Sequence, residues 1–135
     1  MMGALLAIAA IGGALAVAMG AYAAHAPAPP DPRALGWIET AVRYQMWHAL
    51  ALVAIVALAA RPGGRKSLWL RLAAIGFLAG TLLFCGSLYF MALAGWRAAA
   101  VVTPFGGAAL VLGWVALAAH GVALCRLRGA PDAPP

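Results

Sequence analysis

Four long apolar runs, each long enough to cross a lipid bilayer as a helix, constrain this chain more than any other feature. They cover about residues 2–24, 39–60, 68–94 and 103–124. A helix that crosses the hydrocarbon core needs roughly 20 mostly apolar residues. Because the later connections are short, neighbouring helices must run antiparallel. The sequence therefore predicts an all-α membrane protein, an antiparallel bundle of four transmembrane helices in one domain over residues 1–128.

Composition excludes a soluble protein. Of the 135 residues, 66% are hydrophobic and 9% are charged, whereas roughly a quarter of a soluble domain is charged. A chain of this size cannot bury so much apolar surface in its own core, so lipid must cover the rest. The net charge of +6 is spread over the ends of the apolar runs, as expected for a membrane protein. We therefore expect the lipid bilayer as a partner, and no nucleic acid.

Turn-forming residues mark the ends of the runs. Asp31, which precedes a proline, predicts a short interfacial turn with Asp31 as its N-cap. The segment 61–64 (Arg-Pro-Gly-Gly) predicts the end of the second helix, because proline cannot continue a helix and glycine accepts the exit geometry. Thr103 also precedes a proline and is predicted to cap the fourth helix. The proline-rich residues 129–135 predict a disordered C-terminal tail.

The basic residues predict the orientation of the bundle. Lysine and arginine are enriched on the cytoplasmic side of membrane proteins. The side that holds both termini carries more of them, so we expect both termini in the cytoplasm of a multi-pass inner-membrane protein and segment 27–36 outside. The basic residues of that side are Arg61, Arg65, Lys66, Arg71, Arg126 and Arg128, and those of the other side are Arg33, Arg43 and Arg97.

The first run has a rival interpretation as a signal peptide. Residues 21–26 (Ala-Tyr-Ala-Ala-His-Ala) follow an apolar stretch and contain the small-residue pattern of a cleavage site. However, no lysine or arginine precedes the run, and the run is longer than a usual signal sequence. We therefore expect the first run to remain as a membrane span.

Cysteine and histidine content favours neither a disulfide nor a metal site. Cys85 and Cys125 are predicted on opposite sides of the membrane, too far apart for a bridge. The three histidines are dispersed and show no metal-ligand spacing. Haem held by His25 and His48 is conceivable, but no spacing favours it. We expect no metal and no cofactor.

Small residues at helical spacing predict the faces through which the helices pack. Helices associate in a bilayer through close packing and polar contacts, because lipid tails are as apolar as leucine. Small residues recur at steps of four in the first run (Gly12, Ala16 and Gly20), and glycines lie four apart in the third run and seven apart in the fourth. The predicted packing glycines are Gly12, Gly20, Gly76, Gly80, Gly106 and Gly113.

Polar side chains within the runs gather in the predicted outer half of the bundle. Glu39 and Arg43 are four residues apart, so they can pair along the helix or reach interfacial water. His48 is predicted near mid-bilayer, where a hydrogen-bonded structural histidine is favoured over a ligand or a proton relay. The residues of this predicted outer polar cluster are His25, Glu39, Arg43, Tyr44, Gln45, His48, Ser87, Tyr89 and Thr103.

Several short motifs together resemble a known family. They are residues 20–25 (GAYAAH), 39–50 (ETAVRYQMWHAL), 84–89 (FCGSLY), 103–107 (TPFGG) and 113–114 (GW), in this order. The chain resembles domain-of-unknown-function family 423, related to transmembrane protein 256 of animals. The resemblance implies a four-helix inner-membrane protein, mitochondrial in animals and in the cell membrane of bacteria. It implies no reaction, because none is established for the family.

Three classes of function follow from these observations. The short loops and packing glycines favour a non-enzymatic membrane component, either a homo-oligomer or an accessory subunit of a larger membrane complex. The alternative is a protein that binds or conducts a small molecule, lipid, quinone or proton through the outer polar cluster. An enzyme is not expected, since Cys85 with His48 is the one nucleophile–base pair that can be imagined and no spacing supports it.

Overall fold

The structure, a computed structural model, describes residues 2–27, 29–61, 64 and 67–128, except for the side chains of residues 127 and 128. Each of its four long helices is long and apolar enough to cross a membrane. The predicted all-α fold of four spans is therefore confirmed. The predicted disordered tail lies outside the described residues. The helices are α1 (Met2–His25), α2 (Ala34–Ala59), α3 (Leu68–Ala94) and α4 (Thr103–Arg128), and a short 3₁₀ helix (Arg97–Val101) precedes α4.

Two helices extend beyond their predicted bounds. α2 begins at Ala34, rather than at residue 39, because the turn at Asp31 continues directly into the helix. In that turn the Arg33 backbone N–H donates to the Asp31 carboxylate at 3.0 Å, as expected for a capping aspartate. α4 continues to residue 128, rather than 124. Arginines in its last turn favour this extension, because cations stabilise the negative end of the helix dipole.

The connection between α3 and α4 differs from the prediction that Thr103 caps α4. Thr103 is the first residue of α4, and its hydroxyl lies 2.8 Å from the Ser87 hydroxyl of α3. α3 itself ends at Gly95, whose φ of 66° is the left-handed conformation that glycine adopts without a Cβ clash. The 3₁₀ helix follows and buries Ala99 against the bundle.

Helices that follow each other in sequence are neighbours in space and run antiparallel. Among the described residues, α1 makes extensive backbone contact with α2 but not with α3 or α4. α2 and α3 therefore form the centre, and α1 and α4 flank it. We call the end with connections 26–33 and 95–102 the Asp31 end. The opposite end, with connection 60–67 and the two chain termini, is the Ser67 end.

The α3–α4 seam is packed backbone against backbone. A Cβ atom built at Gly76 would lie 2.9 Å from a carbonyl oxygen of α4, and one at Gly106 would lie 2.8 Å from the Cα atom of Phe84. Gly80 and Gly113 are enclosed just as closely by side chains and backbone of the partner helix. Four of the six predicted packing glycines thus lie where a larger residue does not fit.

The α1–α2 seam is looser. Cβ atoms built at Gly12 and Gly20 would meet α2 side chains at 4.0 Å and 3.5 Å, which is ordinary van der Waals contact. Within α1, Ala9 and Ala16 are the residues that become buried. α1 therefore lies along α2 without the tight glycine packing of the α3–α4 seam, and much of its surface faces outward.

Candidate functional site

The nine residues of the predicted outer polar cluster do not form one cluster in the structure. His25, Glu39 and Arg43 are exposed, and the other six residues lie at different helix–helix contacts. A polar group whose hydrogen bonds are already made has little capacity left for a ligand. The partners of each group therefore decide whether it is a joint of the bundle or a candidate for binding.

His48 is buried between α2 and α4, and both of its ring nitrogens have partners. Nδ1 lies 2.7 Å from the Tyr44 carbonyl oxygen, and Nε2 lies 3.1 Å from the Trp114 indole nitrogen. A carbonyl can only accept and an indole N–H can only donate, so Nδ1 carries the proton and Nε2 accepts. The Phe77 and Trp114 rings pack against the imidazole at 5.2 Å and 6.0 Å. This is the arrangement of a structural histidine, with no free lone pair for a metal.

Three further polar residues connect neighbouring helices. The Gln45 side-chain amide of α2 donates to the Gly12 carbonyl oxygen of α1 at 2.7 Å. On α3 the Ser87 hydroxyl donates to the Phe84 carbonyl oxygen at 2.9 Å, so it accepts from the Thr103 hydroxyl of α4 at 2.8 Å. Each bond satisfies a polar group inside the bundle, and each therefore acts as a joint.

Within the part of the chain that the structure describes, the three exposed residues have no partner on another helix. The His25 Nδ1 atom lies 3.0 Å from a carbonyl oxygen one turn earlier in α1. Glu39 and Arg43 do not form the ion pair along α2 that their spacing allows, since the ion pairs of the described residues all involve Asp31. Glu39 and Arg43 therefore extend from the outer surface of α2.

An ionic cluster at the Asp31 end was not predicted from the sequence. The Asp31 carboxylate pairs with Arg97 at 2.5 Å and with Arg33 at 3.4 Å, and both guanidinium groups lie within 6 Å of the Trp37 ring centre. The Arg33 backbone N–H, and then the two cations, hold the pKa of Asp31 below its usual 3.8. The cluster joins the α1–α2 connection to the one between α3 and α4. Nothing in the sequence signals a contact over this separation.

A groove opens between α1 and α3, with α2 as its floor. The part nearer the Asp31 end encloses about 480 Å³, and its walls are almost entirely apolar. A second part of about 610 Å³ continues toward the Ser67 end and shares the wall residues Ile8 and Leu78. The groove therefore follows most of the length of the bundle and opens laterally toward lipid. We call it the α1–α3 groove.

Three of the polar side chains that line this groove form a stripe on α3. Thr81, Cys85 and Tyr89 are four residues apart, so they share one face of the helix. The hydroxyls of Thr81 and Tyr89 are buried and lack a hydrogen-bond partner, and no other buried side-chain nitrogen or oxygen among the described residues does. Because buried polar groups are normally paired, these two oxygens distinguish the groove. The prediction included Tyr89 but missed Thr81, whose spacing from Tyr89 was the available signal.

A second groove, between α2 and α4, is a weaker candidate. It encloses about 690 Å³ and is lined by Tyr44, Trp47, Phe84 and Trp114 around His48. The indole N–H of Trp114 and both nitrogens of His48 already have partners. This groove therefore offers aromatic surface, but its central polar atoms are occupied.

The residues considered for catalysis or metal binding are not brought together. Cys85 lines the α1–α3 groove, whereas His48 lines the groove between α2 and α4. Both cysteines are free, Cys85 buried and Cys125 exposed. Within the described part of the chain, no group of three histidine, cysteine or acidic residues has the geometry to hold a metal ion.

The helices and grooves define the class: a small polytopic membrane protein with four spans. The chain matches the family described as "Protein of unknown function (DUF423)" over residues 19–107. It is 40% identical to a UPF0382 membrane protein of Haemophilus influenzae over 114 residues, which are 84% of this chain and 89% of the relative. The chain belongs to the DUF423 family, and its biochemical role is unknown.

Two other relatives are also matched over nearly their whole length. The UPF0382 inner membrane protein YgdD of Escherichia coli is 37% identical over 123 residues, 90% of this chain and 92% of the relative. The UPF0382 membrane protein YwdK of Bacillus subtilis is 34% identical over 119 residues, 84% of this chain and 91% of the relative. No solved structure matches the chain.

Proposed function

We propose that this protein is a non-enzymatic membrane component that binds a long-chain membrane lipid in the α1–α3 groove. The single observation that carries the proposal is the pair of buried hydroxyls, those of Thr81 and Tyr89, which lack partners and line the same groove. Burying a hydroxyl without a hydrogen bond costs roughly 1–3 kcal/mol in proteins. A bound lipid that supplies oxygen acceptors removes this cost.

The shape and depth of the groove support a chain-like occupant. The groove is elongated, apolar and open to the bilayer, so a hydrocarbon chain can enter sideways. Tyr89 lies roughly 7.5 Å from the Asp31 end of α3, and Thr81 lies at its midpoint, roughly 20 Å from either end. Ester carbonyls of a glycerophospholipid and ring carbonyls of an isoprenoid quinone both supply suitable acceptors. Because the two hydroxyls lie roughly 12 Å apart along α3, the carbonyl end of one lipid meets one of them, at a depth that depends on the lipid. The shared chemistry is a long chain with carbonyl oxygens near one end.

The α1–α3 groove does not include most residues of the predicted outer polar cluster. His48, Gln45 and Ser87 have their hydrogen bonds within the bundle, which supports structural roles for them. Two members of that cluster, Gln45 and Tyr89, line the α1–α3 groove, and of these Gln45 is already bonded to the Gly12 carbonyl oxygen. Association with further chains, as a homo-oligomer or an accessory subunit, is compatible with lipid in this groove.

We further propose that the chain resides in the inner membrane with both termini in the cytoplasm. The Escherichia coli relative is named an inner membrane protein, which supports the location. The greater number of lysines and arginines at the Ser67 end supports the orientation. A reporter enzyme that works only in the cytoplasm, fused after Pro135, should be active. Activity of a periplasm-specific reporter at that position would refute the orientation.

Native mass spectrometry of protein extracted gently from its own membranes tests the lipid site. We expect one retained lipid per chain, whose mass distinguishes a glycerophospholipid from a quinone. Tyr89→Phe and Thr81→Val remove the hydroxyls with little change in shape. The variant whose hydroxyl contacts the carbonyl end of the lipid should lower retention about fivefold, the equivalent of one hydrogen bond of about 1 kcal/mol. Tyr22→Phe is the matched control, because Tyr22 is 50% exposed and lies outside the groove.

The outcomes separate the hypotheses. Retention that falls in at least one groove variant and not in the control supports the site. Equal retention in all four proteins would refute it. A stoichiometric complex with a different membrane protein, and no lipid, would instead support an accessory subunit.

A further inference from the structure

The outward-facing surface of α2 carries charge inside a membrane-spanning helix. Arg43 is exposed and lies six residues after Trp37, the ring that the interfacial ionic cluster surrounds. It is therefore roughly 9 Å closer to the bilayer centre than that ring. No other charged residue in the four long helices is as far from a helix end. Charged residues in membrane spans normally face the bundle interior, so a lipid-exposed Arg43 requires an explanation.

Arg43 belongs to a stripe with the spacing of a helix–helix contact. Residues of α2 at alternating steps of four and three are exposed or half-exposed, and they align along one face of the helix. A repeat of 3.5 residues is the pattern by which two helices pack along their length. We call this surface the α2 stripe; it comprises Gly36, Thr40, Arg43, Trp47 and Leu50.

The charges near the α2 stripe are self-complementary. Glu39 is exposed beside it, one turn nearer the Asp31 end than Arg43, and the two do not pair within the chain. Helical side chains lean toward the helix N-terminus, so the long arginine extends toward the level of glutamate. A surface with one acidic and one basic side chain complements a second copy of itself better than it complements the anionic headgroup of a lipid. Gly36 has nothing near a built Cβ, which leaves room for close approach.

We infer that the α2 stripe is the contact surface of a homodimer, in which Arg43 of each copy pairs with Glu39 of the other. Copies inserted in the same orientation are related by a two-fold axis along the membrane normal. This axis places the two α2 helices side by side at equal depth, and it makes both ion pairs equivalent. The interface does not involve the α1–α3 groove. A failure to dimerise would therefore not contradict lipid binding there, and the reverse also holds.

Cysteine cross-linking in native membranes tests the surface. Thr40 lies near the two-fold axis, so Thr40→Cys should form a disulfide-linked dimer under mild oxidation. The background carries Cys85→Ala and Cys125→Ser, and Phe105→Cys is the control because Phe105 is 67% exposed on α4 near the same end. We expect a cross-linked fraction at least about fivefold above the control. Equal fractions at the two positions would overturn the proposal.

Charge exchange between two differently tagged copies tests the pairing. Glu39→Arg leaves one copy with two arginines, and Arg43→Glu leaves the other with two acids. Each alone should cross-link through Thr40→Cys about fivefold less than the parent, because like charges then oppose each other. Expressed together, they should restore the cross-link between unlike tags, which a pair within one chain cannot explain. No restoration, with both copies present in the membrane, would overturn the pairing.

A measurement that begins with the unaltered protein guards against variants that fail to insert. Subunit counting by photobleaching of the fluorescently labelled parent in lipid nanodiscs should give two copies per particle. The doubly neutral variant Glu39→Gln/Arg43→Gln should shift the distribution toward one. A monomeric parent protein, with or without a bound anionic lipid, would overturn the dimer.

Discussion

The two outer helices, α1 and α4, pack on the central helices in different ways. α4 lies against α3 through four glycines that bring backbone onto backbone, whereas α1 touches α2 mainly through small residues at ordinary contact distance. α1 also leaves an open groove along α3. Without a hydrophobic driving force between helices in lipid, the closely packed seam is the stable part of the bundle. The difference implies that α3–α4 is the scaffold and that α1 is the helix able to yield when a lipid enters.

Glycine substitutions should reveal the largest difference between the two seams, measured as a loss in the free energy of unfolding. Gly106→Ala places a methyl group 2.8 Å from the Phe84 Cα atom, so the helices must separate. We expect a loss of roughly 1–3 kcal/mol in the free energy of unfolding, as for other overpacked sites. Gly12→Ala is the matching change in the α1–α2 seam and should cost little, since a Cβ built there meets the Ala49 Cβ atom at 4.0 Å. Denaturant unfolding in micelles measures both, and equal losses would contradict the comparison.

The hydrogen bond between His48 and Trp114 is the polar link from α2 to α4. Trp114→Phe keeps an aromatic ring but leaves the buried Nε2 atom of His48 without a donor. The expected loss in the free energy of unfolding is about 1–2 kcal/mol. Trp69→Phe, at an indole that is 43% exposed, should change stability little. If His48→Leu and Trp114→Phe were additive in a double-mutant cycle, the bond would not contribute to stability.

The polar joint that holds α1 should have a smaller and more local effect. Gln45→Leu removes the bond to the Gly12 carbonyl oxygen, and bonds between helices in bilayers average only about 0.6 kcal/mol. We expect faster hydrogen exchange in the amides of α1 and unchanged exchange in α3 and α4. Acceleration throughout the bundle would show that α1 is not an independently yielding helix.

The ionic cluster should make the smallest contribution to the stability of the fold, and this contribution should depend on pH. The pKa of Asp31 is lowered in the folded protein, so its contribution is complete above the ordinary value of 3.8 and is lost as the pH falls through the lower folded value. Exposed ion pairs contribute little. Thermal unfolding should therefore show a small loss of stability on acidification that Asp31→Asn abolishes. An unchanged pH dependence in that variant would exclude the cluster as its source.

Much of the candidate site could not be predicted from the sequence, because it depends on contacts between residues that are distant in the chain. A hydrogen-bonded His48 was predicted, but the sequence does not identify its donor, Trp114, which is distant in sequence. Thr81 looked like an isolated threonine in an apolar run, and only its burial without a partner distinguishes it. Glu39 and Arg43 had the spacing to pair along the helix, and the structure instead presents both outward.

The sequence by itself determined the number of spans and nearly all of their bounds, because the length of an apolar helix must match the thickness of the bilayer. It also indicated the glycine faces of α3 and α4, since close approach requires residues without a side chain. Only the tertiary structure decided which faces meet. In a span that is apolar on all sides, hydrophobicity does not distinguish a face that packs on a helix from one that packs on lipid. That choice depends on shape and on a few hydrogen bonds, such as those of Gln45, His48 and Ser87.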